Sequence, residues 1–118
     1  EISACLVGSE MCIRDRNESV GFVKLLPTAM EGVYESDVIG EDALWGHGLG
    51  QQAVRSALSK AFLHLRADRV VAKVMPPNLR SIRCVCACGF QQMAEMPRLI
   101  RFEITFDAYC KALREKRA

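Results

Sequence analysis

Residues 33–58 read VYESDVIGEDALWGHGLGQQAVRSAL, and residues 69–75 follow with RVVAKVM. From Val33 to Ile39 the chain alternates, with Val33, Glu35, Asp37 and Ile39 on one side and Tyr34, Ser36 and Val38 on the other, the two-residue period of a strand. Gly40 to Gly50 is too rich in glycine for a regular element and reads as a loop. Beyond it Val54, Ala57, Leu58, Ala61, Phe62 and Leu65 recur at helical spacing, with Gln51, Gln52, Arg55, Ser59 and Lys60 opposite, which predicts an amphipathic helix. Arg69 to Met75 returns to mostly apolar, β-branched residues, as a central strand requires. A strand, a glycine loop, a helix and a second strand form a crossover, and crossovers join parallel strands, almost always with right-handed sense.

Working outward, Val20 to Leu26 (VGFVKLL) reads as a strand stopped by Pro27, with a turn from Thr28 to Gly32. On the other side Pro76 and Pro77 end the RVVAKVM strand. Asn78 is a good N-cap for a helix from Leu79 to Cys88, and Gly89 its C-terminal stop. Phe90 onward reads as a hairpin in which Ile100, Phe102, Ile104 and Phe106 alternate with Arg101, Glu103 and Thr105. Asp107 is expected to cap a short basic tail helix.

The whole chain has 118 residues, 50% of them hydrophobic, with 16 Lys and Arg against 14 Asp and Glu for a net charge of +2. That is enough chain to close one core and too little for two domains. The balanced charge gives no argument for a nucleic-acid partner, whose binding proteins concentrate cationic charge on one face. No stretch approaches the roughly 18 uninterrupted apolar residues of a membrane span. Of the six cysteines, Cys84, Cys86 and Cys88 alternate as C-x-C-x-C, which is not the usual spacing of structural zinc ligands. No metal site is expected, and the cysteines read as small buried thiols of a reducing, cytoplasmic setting.

Residues 1–16 (EISACLVGSEMCIRDR) carry no period of 2 or 3.6 and no secretory layout. The stretch CLVGSEMCIRDR is similar to translated sequencing-adapter read-through, so residues 1–16 are expected to be a non-native leader and 17–118 a partial domain. Without them the chain holds fourteen basic residues against eleven acidic, a net +3, and four cysteines.

Two loops carry candidate chemistry. The first, Trp45-Gly46-His47-Gly48-Leu49-Gly50-Gln51, enters the amphipathic helix. Glycines there let backbone N–H groups converge on one spot while the helix N-terminus adds partial positive charge, so phosphate is held with little help from side chains. A purely structural turn explains such a run equally well. The spacings G-x-G-x-x-G and G-x-x-x-x-G-K-[ST] are both absent, which argues against a dinucleotide fold and an NTPase. The second loop is Pro77-Asn78-Leu79-Arg80-Ser81-Ile82-Arg83, followed by Gly89-Phe90.

Taken together, VYESDVIGEDALWGHGLGQQAVRSAL, RVVAKVM and NLRSIRCVCACGF resemble the GNAT acyltransferases, whose motifs are a strand, a Q/R-x-x-G-x-G/A loop on a helix N-terminus, a second strand, and N-x-x-[SA]-I-R…GF. The resemblance covers about residues 18 to 106, with the family's first strand, first two helices and following strand missing. The wording GLGQQAVRSAL and PPNLRSIRC is most similar to the aminoglycoside 6'-N-acetyltransferase and siderophore-acyltransferase branch.

The resemblance implies an α/β fold with a mixed, mostly antiparallel sheet, flanking helices and a parallel pair of strands that splay apart around acetyl-CoA. The pyrophosphate would lie on the loop of Gly46, His47, Gly48, Gly50 and Gln51. The pantetheine arm would pair along Val38 and Ile39, Asn78 would bond it through its amide, and Ser81 would let it pass close to the helix. His47 is read as a phosphate-side residue rather than a base, and His64 as solvated.

Amine acetylation needs a group to take the amine proton and an acid for the leaving thiolate. Glu35 and Asp37 share a strand face and suit the first role. They would also attract a small cationic amine such as an aminoglycoside or polyamine. The alternative is a solvated strand face. The family's usual tyrosine acid is here Val85, which has no proton to give. The implied function is acetyl-CoA-dependent N-acetylation of a primary amine, with antibiotic resistance as one setting and a homodimer as one assembly. The alternatives are a non-catalytic or remnant coenzyme A-binding domain and an acetyltransferase for protein N-terminal amines.

Overall fold

A computed structural model of the chain describes residues 2–7, 10–15, 18–40 and 49–117. Its strands are β1 (Ile2–Val7), β2 (Glu10–Asp15), β3 (Glu18–Pro27), β4 (Val33–Gly40), β5 (Arg69–Val74), β6 (Gln91–Glu95) and β7 (Ile100–Thr105). Helix α1 (Leu49–Ser59) continues into a π-helical turn (Lys60–His64), followed later by α2 (Leu79–Ala87) and α3 (Phe106–Arg117). The strands form one sheet in the order β1-β2-β3-β4-β5-β7-β6, and β4 with β5 is its parallel pair. The architecture is therefore the expected mixed, mostly antiparallel sheet with flanking helices.

Two strands ahead of β3 depart from the sequence reading, which found no period in residues 1–16. β1 pairs with β2 from Ile2↔Asp15 to Val7↔Glu10, and β2 joins β3 with an irregularity between Ile13 and Arg14. Backbone hydrogen bonds build a ladder whatever the side-chain pattern, so a strand without alternation is invisible to periodicity.

One face of the sheet carries the main core. Val23 and Leu25 of β3, Val70, Ala72 and Val74 of β5, and Phe102 and Ile104 of β7 pack with Val54, Ala57, Leu58, Ala61 and Phe62 of the first helix. Sealing each of these larger side chains from water contributes about 1.5–3 kcal/mol before entropy is counted. Phe62 also stacks on Tyr109 at 4.9 Å between ring centroids, which ties α3 to the same layer. The opposite face combines buried Val33 and Val71 with a charged cluster in which Glu103 sits 9% exposed between Arg69 (3.0 Å) and Arg101 (3.6 Å).

Two local expectations are corrected. Leu65, placed by periodicity on the buried stripe, is 39% exposed. The π-helical turn adds a residue to the cycle, so Leu65 donates to the Lys60 carbonyl at 3.0 Å and the stripe ends at Phe62. Arg66 then takes a left-handed φ of 56° and closes the helix. Asp107 is not the cap of α3. That helix starts directly after β7, so the Thr105 hydroxyl occupies the cap position and accepts the Ala108 N–H at 3.2 Å, while Asp107 lies in the first turn.

Candidate functional site

β4 and β5 run side by side only at their beginnings. Their register holds at Val33↔Arg69, Tyr34↔Val70 and Glu35↔Val71 and goes no further, although both strands continue. Above Glu35 the strands part, and the gap is a cavity of about 170 Å³. Ser36 and Asp37 line it from β4, Ala72, Lys73 and Val74 from β5, Val54 from α1, and Asn78, Ser81, Cys84 and Val85 from the start of α2.

The second motif loop forms the rim for a reason visible in its sequence. Pro76 and Pro77 stop β5, and the Asn78 N–H turns back to the Met75 carbonyl at 2.9 Å. The Asn78 Oδ1 accepts the Ser81 N–H at 3.2 Å, which makes Asn78 the N-cap of α2 as expected. With Oδ1 so engaged, the side-chain N–H₂ is the half of the amide available to a ligand acceptor. Ser81 stands one turn into the helix, small enough to leave the cavity open. Gly89, at φ 104°, ends the helix, and a Cβ there would meet Ile104 Cδ1 at 3.2 Å.

The first motif loop delivers its last two predicted residues. Gly50 and Gln51 lie in the first turn of α1, where backbone N–H groups have no intrahelical acceptor. The Gln51 side chain accepts from Arg55 Nη2 at 3.3 Å. Gly46, His47 and Gly48 lie outside the described residues. Val38 and Ile39 pair on one side with Val23 and Phe22 of β3, and the register with β5 ends before them. A backbone edge in that position can accept an extended amide-bearing arm as an added strand.

The candidate carboxylates are separated by the structure. Asp37 lines the cavity, whereas Glu35 lies at the last paired position and takes an ion pair from Lys73 at 3.8 Å. Lys73 was not among the sequence candidates. Alternation puts it on the face of β5 that bears Val71, so the signal was present, but only the parallel register sets it beside Glu35. His64 is exposed, as expected.

Of the α2 cysteines, Cys84 and Cys88 are buried in the core as expected, whereas Cys86 is exposed. Cys84 lines the cavity beside Val85, while Cys86 and Cys88 line a second, wider groove of about 330 Å³ between α1, α2 and α3. A hydrogen bond with Cys88, desolvation by burial and the charge of Cys88 together hold the Cys84 thiol well above the ordinary thiol range, against a smaller opposing effect of Arg55. Cys88 Sγ in turn donates to the Gln51 carbonyl at 3.6 Å.

Among the described residues no helix is long and apolar enough to cross a membrane, and no cluster of three metal-ligating side chains occurs.

Comparison with known proteins gives the site a family. A dodecameric spermidine N-acetyltransferase from Vibrio cholerae superposes with a TM-score of 0.75 at 18% identity, over 86% of this chain and 68% of that one. AAC(6')-Ib in complex with ribostamycin and coenzyme A gives 0.75 at 20% identity, over 86% and 66%. Mycobacterium smegmatis RimJ in complex with CoA-disulfide gives 0.75 at 18% identity, over 92% and 60%. The chain thus spans about three fifths to two thirds of the length of several of the solved structures it matches. The family model for the acetyltransferase (GNAT) domain matches residues 5–91, starting within the stretch set aside as a leader and taking in the splayed strands, the glycine loop and all of α2. With that match over most of its length, and with the parting of β4 from β5 that the motifs imply, the chain belongs to the GNAT acetyltransferase family.

Proposed function

We propose that this chain is the cofactor-binding part of an acetyl-CoA-dependent N-acetyltransferase that acylates a primary amine on a small cationic molecule, with aminoglycosides the leading class. The observation that carries the reading is the cavity opening where β4 and β5 part, rimmed by the Asn78 amide and Ser81. Similarity to a spermidine N-acetyltransferase and to AAC(6')-Ib bound to ribostamycin supports amines bearing several positive charges.

Acetyl-CoA would supply an activated acyl thioester. The residues that would hold it are Gly46, His47, Gly48, Gly50 and Gln51 at the phosphates, Val38 and Ile39 along the strand edge, and Asn78 and Ser81 at the arm. Aligning two reactants in one cleft accounts for much of the acceleration in such reactions. Asp37, on the cavity wall, would take the proton of the attacking amine directly or through water, and Glu35, tied to Lys73, would assist from below. A positioned base of this kind contributes about 10² to 10⁴ in rate.

A second reading, a coenzyme A-binding domain without turnover, is favoured by Val85 at the position of the family's tyrosine. Calorimetry with acetyl-CoA and a thiol-release assay over aminoglycosides, polyamines and a peptide N-terminal amine separate the two. Binding with release on a cationic amine is the expected result, whereas binding without release on any amine leaves the second reading. Gly48→Asp is expected to weaken acetyl-CoA binding at least tenfold, since a carboxylate repels pyrophosphate; unchanged affinity overturns the loop assignment.

A further inference from the structure

We propose that the groove between α1, α2 and α3 is a second ligand site, built for a small monocarboxylate with an aromatic or branched apolar body. It is separate from the cofactor cleft and stands independently of the acetyltransferase reading.

The groove has a volume of about 330 Å³ and shares no lining residue with the cavity where β4 and β5 part. A water molecule occupies about 30 Å³ of liquid, so the space suits a molecule of about ten to fifteen non-hydrogen atoms. That is the scale of a small-molecule pocket rather than of a protein partner. Much of its wall is hydrocarbon, from Leu58 of α1, Ala87 at the end of α2, and Ala112 and Leu113 of α3. Tyr109, Ala112 and Leu113 follow at helical spacing, and the stacking of Tyr109 on Phe62 holds that face of α3 toward the first helix.

Two polar groups on that wall lack the partners such groups ordinarily have. Arg55 is half-buried and forms no ion pair among the described residues; its hydrogen bond, from Nη2, goes to the neutral Gln51 side chain at 3.3 Å. A guanidinium so placed favours a carboxylate, whose two oxygens match its planar N–H fork. Tyr109 is 6% exposed, yet its hydroxyl makes no hydrogen bond among the described residues. Buried tyrosine hydroxyls usually have a partner, and this residue lines the groove. The guanidinium would take the carboxylate and the phenol would donate a further hydrogen bond to the same ligand. Glu115, exposed toward the end of α3, also lines the groove and disfavours a second negative charge, which restricts the class to monocarboxylates.

The test titrates the chain with phenylpropanoate by calorimetry, with and without coenzyme A. A dissociation constant of about 0.1–1 mM is expected in both cases, and phenylpropanamide, which lacks the charge, should bind about tenfold more weakly. Arg55→Met keeps the aliphatic stem and should weaken phenylpropanoate about tenfold. Tyr109→Phe keeps the ring on Phe62 and should weaken it about threefold to tenfold, with the melting temperature close to that of wild type. Location is read from Cys86, the exposed thiol of the groove, whose alkylation phenylpropanoate should slow in wild type and not in Arg55→Met. Absence of binding, equal affinity for acid and amide, an unprotected Cys86 or competition with coenzyme A each overturns the proposal. Protection of Cys86 that rises with protein concentration alone would put a second copy in the groove and overturn it too. Failure of coenzyme A to bind would overturn the acetyltransferase reading and leave this one standing.

Discussion

β4 has two edges, and they behave differently. Toward β3 it is paired without a break from Gly21↔Gly40 to Pro27↔Tyr34. Toward β5 it is paired for three positions and then free of that strand. Antiparallel neighbours joined by a tight turn stay in register easily, whereas a parallel neighbour arrives through a crossover and is held only where side chains lock it. The closed edge gives the sheet its rigidity, and the open edge leaves backbone groups and a cavity where a ligand can complete the ladder. The proposed site lies where the sheet stops pairing.

The largest effect is expected from filling the open edge. Ser81→Leu puts a branched side chain into the cavity and should weaken acetyl-CoA binding at least a hundredfold in calorimetry, with little change in melting temperature because the added carbons enter empty space. A parallel loss of stability would mean that the gap is packed core.

Next comes the division of labour between the acids on either side of the parting point. Asp37→Asn, on the cavity wall, should lower kcat/KM about a hundredfold, and Glu35→Gln, below it, about tenfold. The reverse order in steady-state kinetics would move the reacting amine down to the paired stretch.

Stability should separate the two stretches of β5 as well. Val70, fully buried in the paired stretch, and Val74, 6% exposed on the cavity, lose the same atoms on substitution by alanine. Val70→Ala should cost about 2 kcal/mol and Val74→Ala about 1 kcal/mol in denaturant titrations, because the first leaves a sealed void and the second enlarges an open one. Equal costs would erase the distinction between closed and open edges.

The smallest effect concerns Lys73. Its ion pair with Glu35 is 3.8 Å long and largely solvated, so Lys73→Met should change stability by less than about 1 kcal/mol. A larger loss in denaturant titration would mean that the pair is shielded from solvent.

Most of the elements were legible from pattern alone, because alternation in VYESDVI, the stripe from Val54 to Phe62 and the Asn78 cap are local signals read over a few residues. β1 and β2 were not, since they show no alternation and backbone pairing needs none. The Leu65 and Asp107 readings failed for a related reason: a π-helical turn and the direct passage from β7 into α3 are set by packing around Phe62 and by strand pairing, not by neighbouring residues. Within the candidate site, Asn78 and Ser81 came from the family motif and line the cavity, while Gly50 and Gln51 came from the glycine loop and begin α1. Lys73 was missed because it is an ordinary residue whose neighbours come from another element.

By itself the sequence determined the order of strand, glycine loop, helix and strand, the caps that begin and end α2, and through their joint spacing the family. These follow from the geometry of one strand or one helix, which a short stretch of chain already specifies. Only the tertiary structure decided where β4 and β5 part, which of the two acids faces the gap, and which thiol lines it. Each depends on the register between residues about thirty-five positions apart, and a periodic pattern says which face a side chain takes without saying what stands across from it.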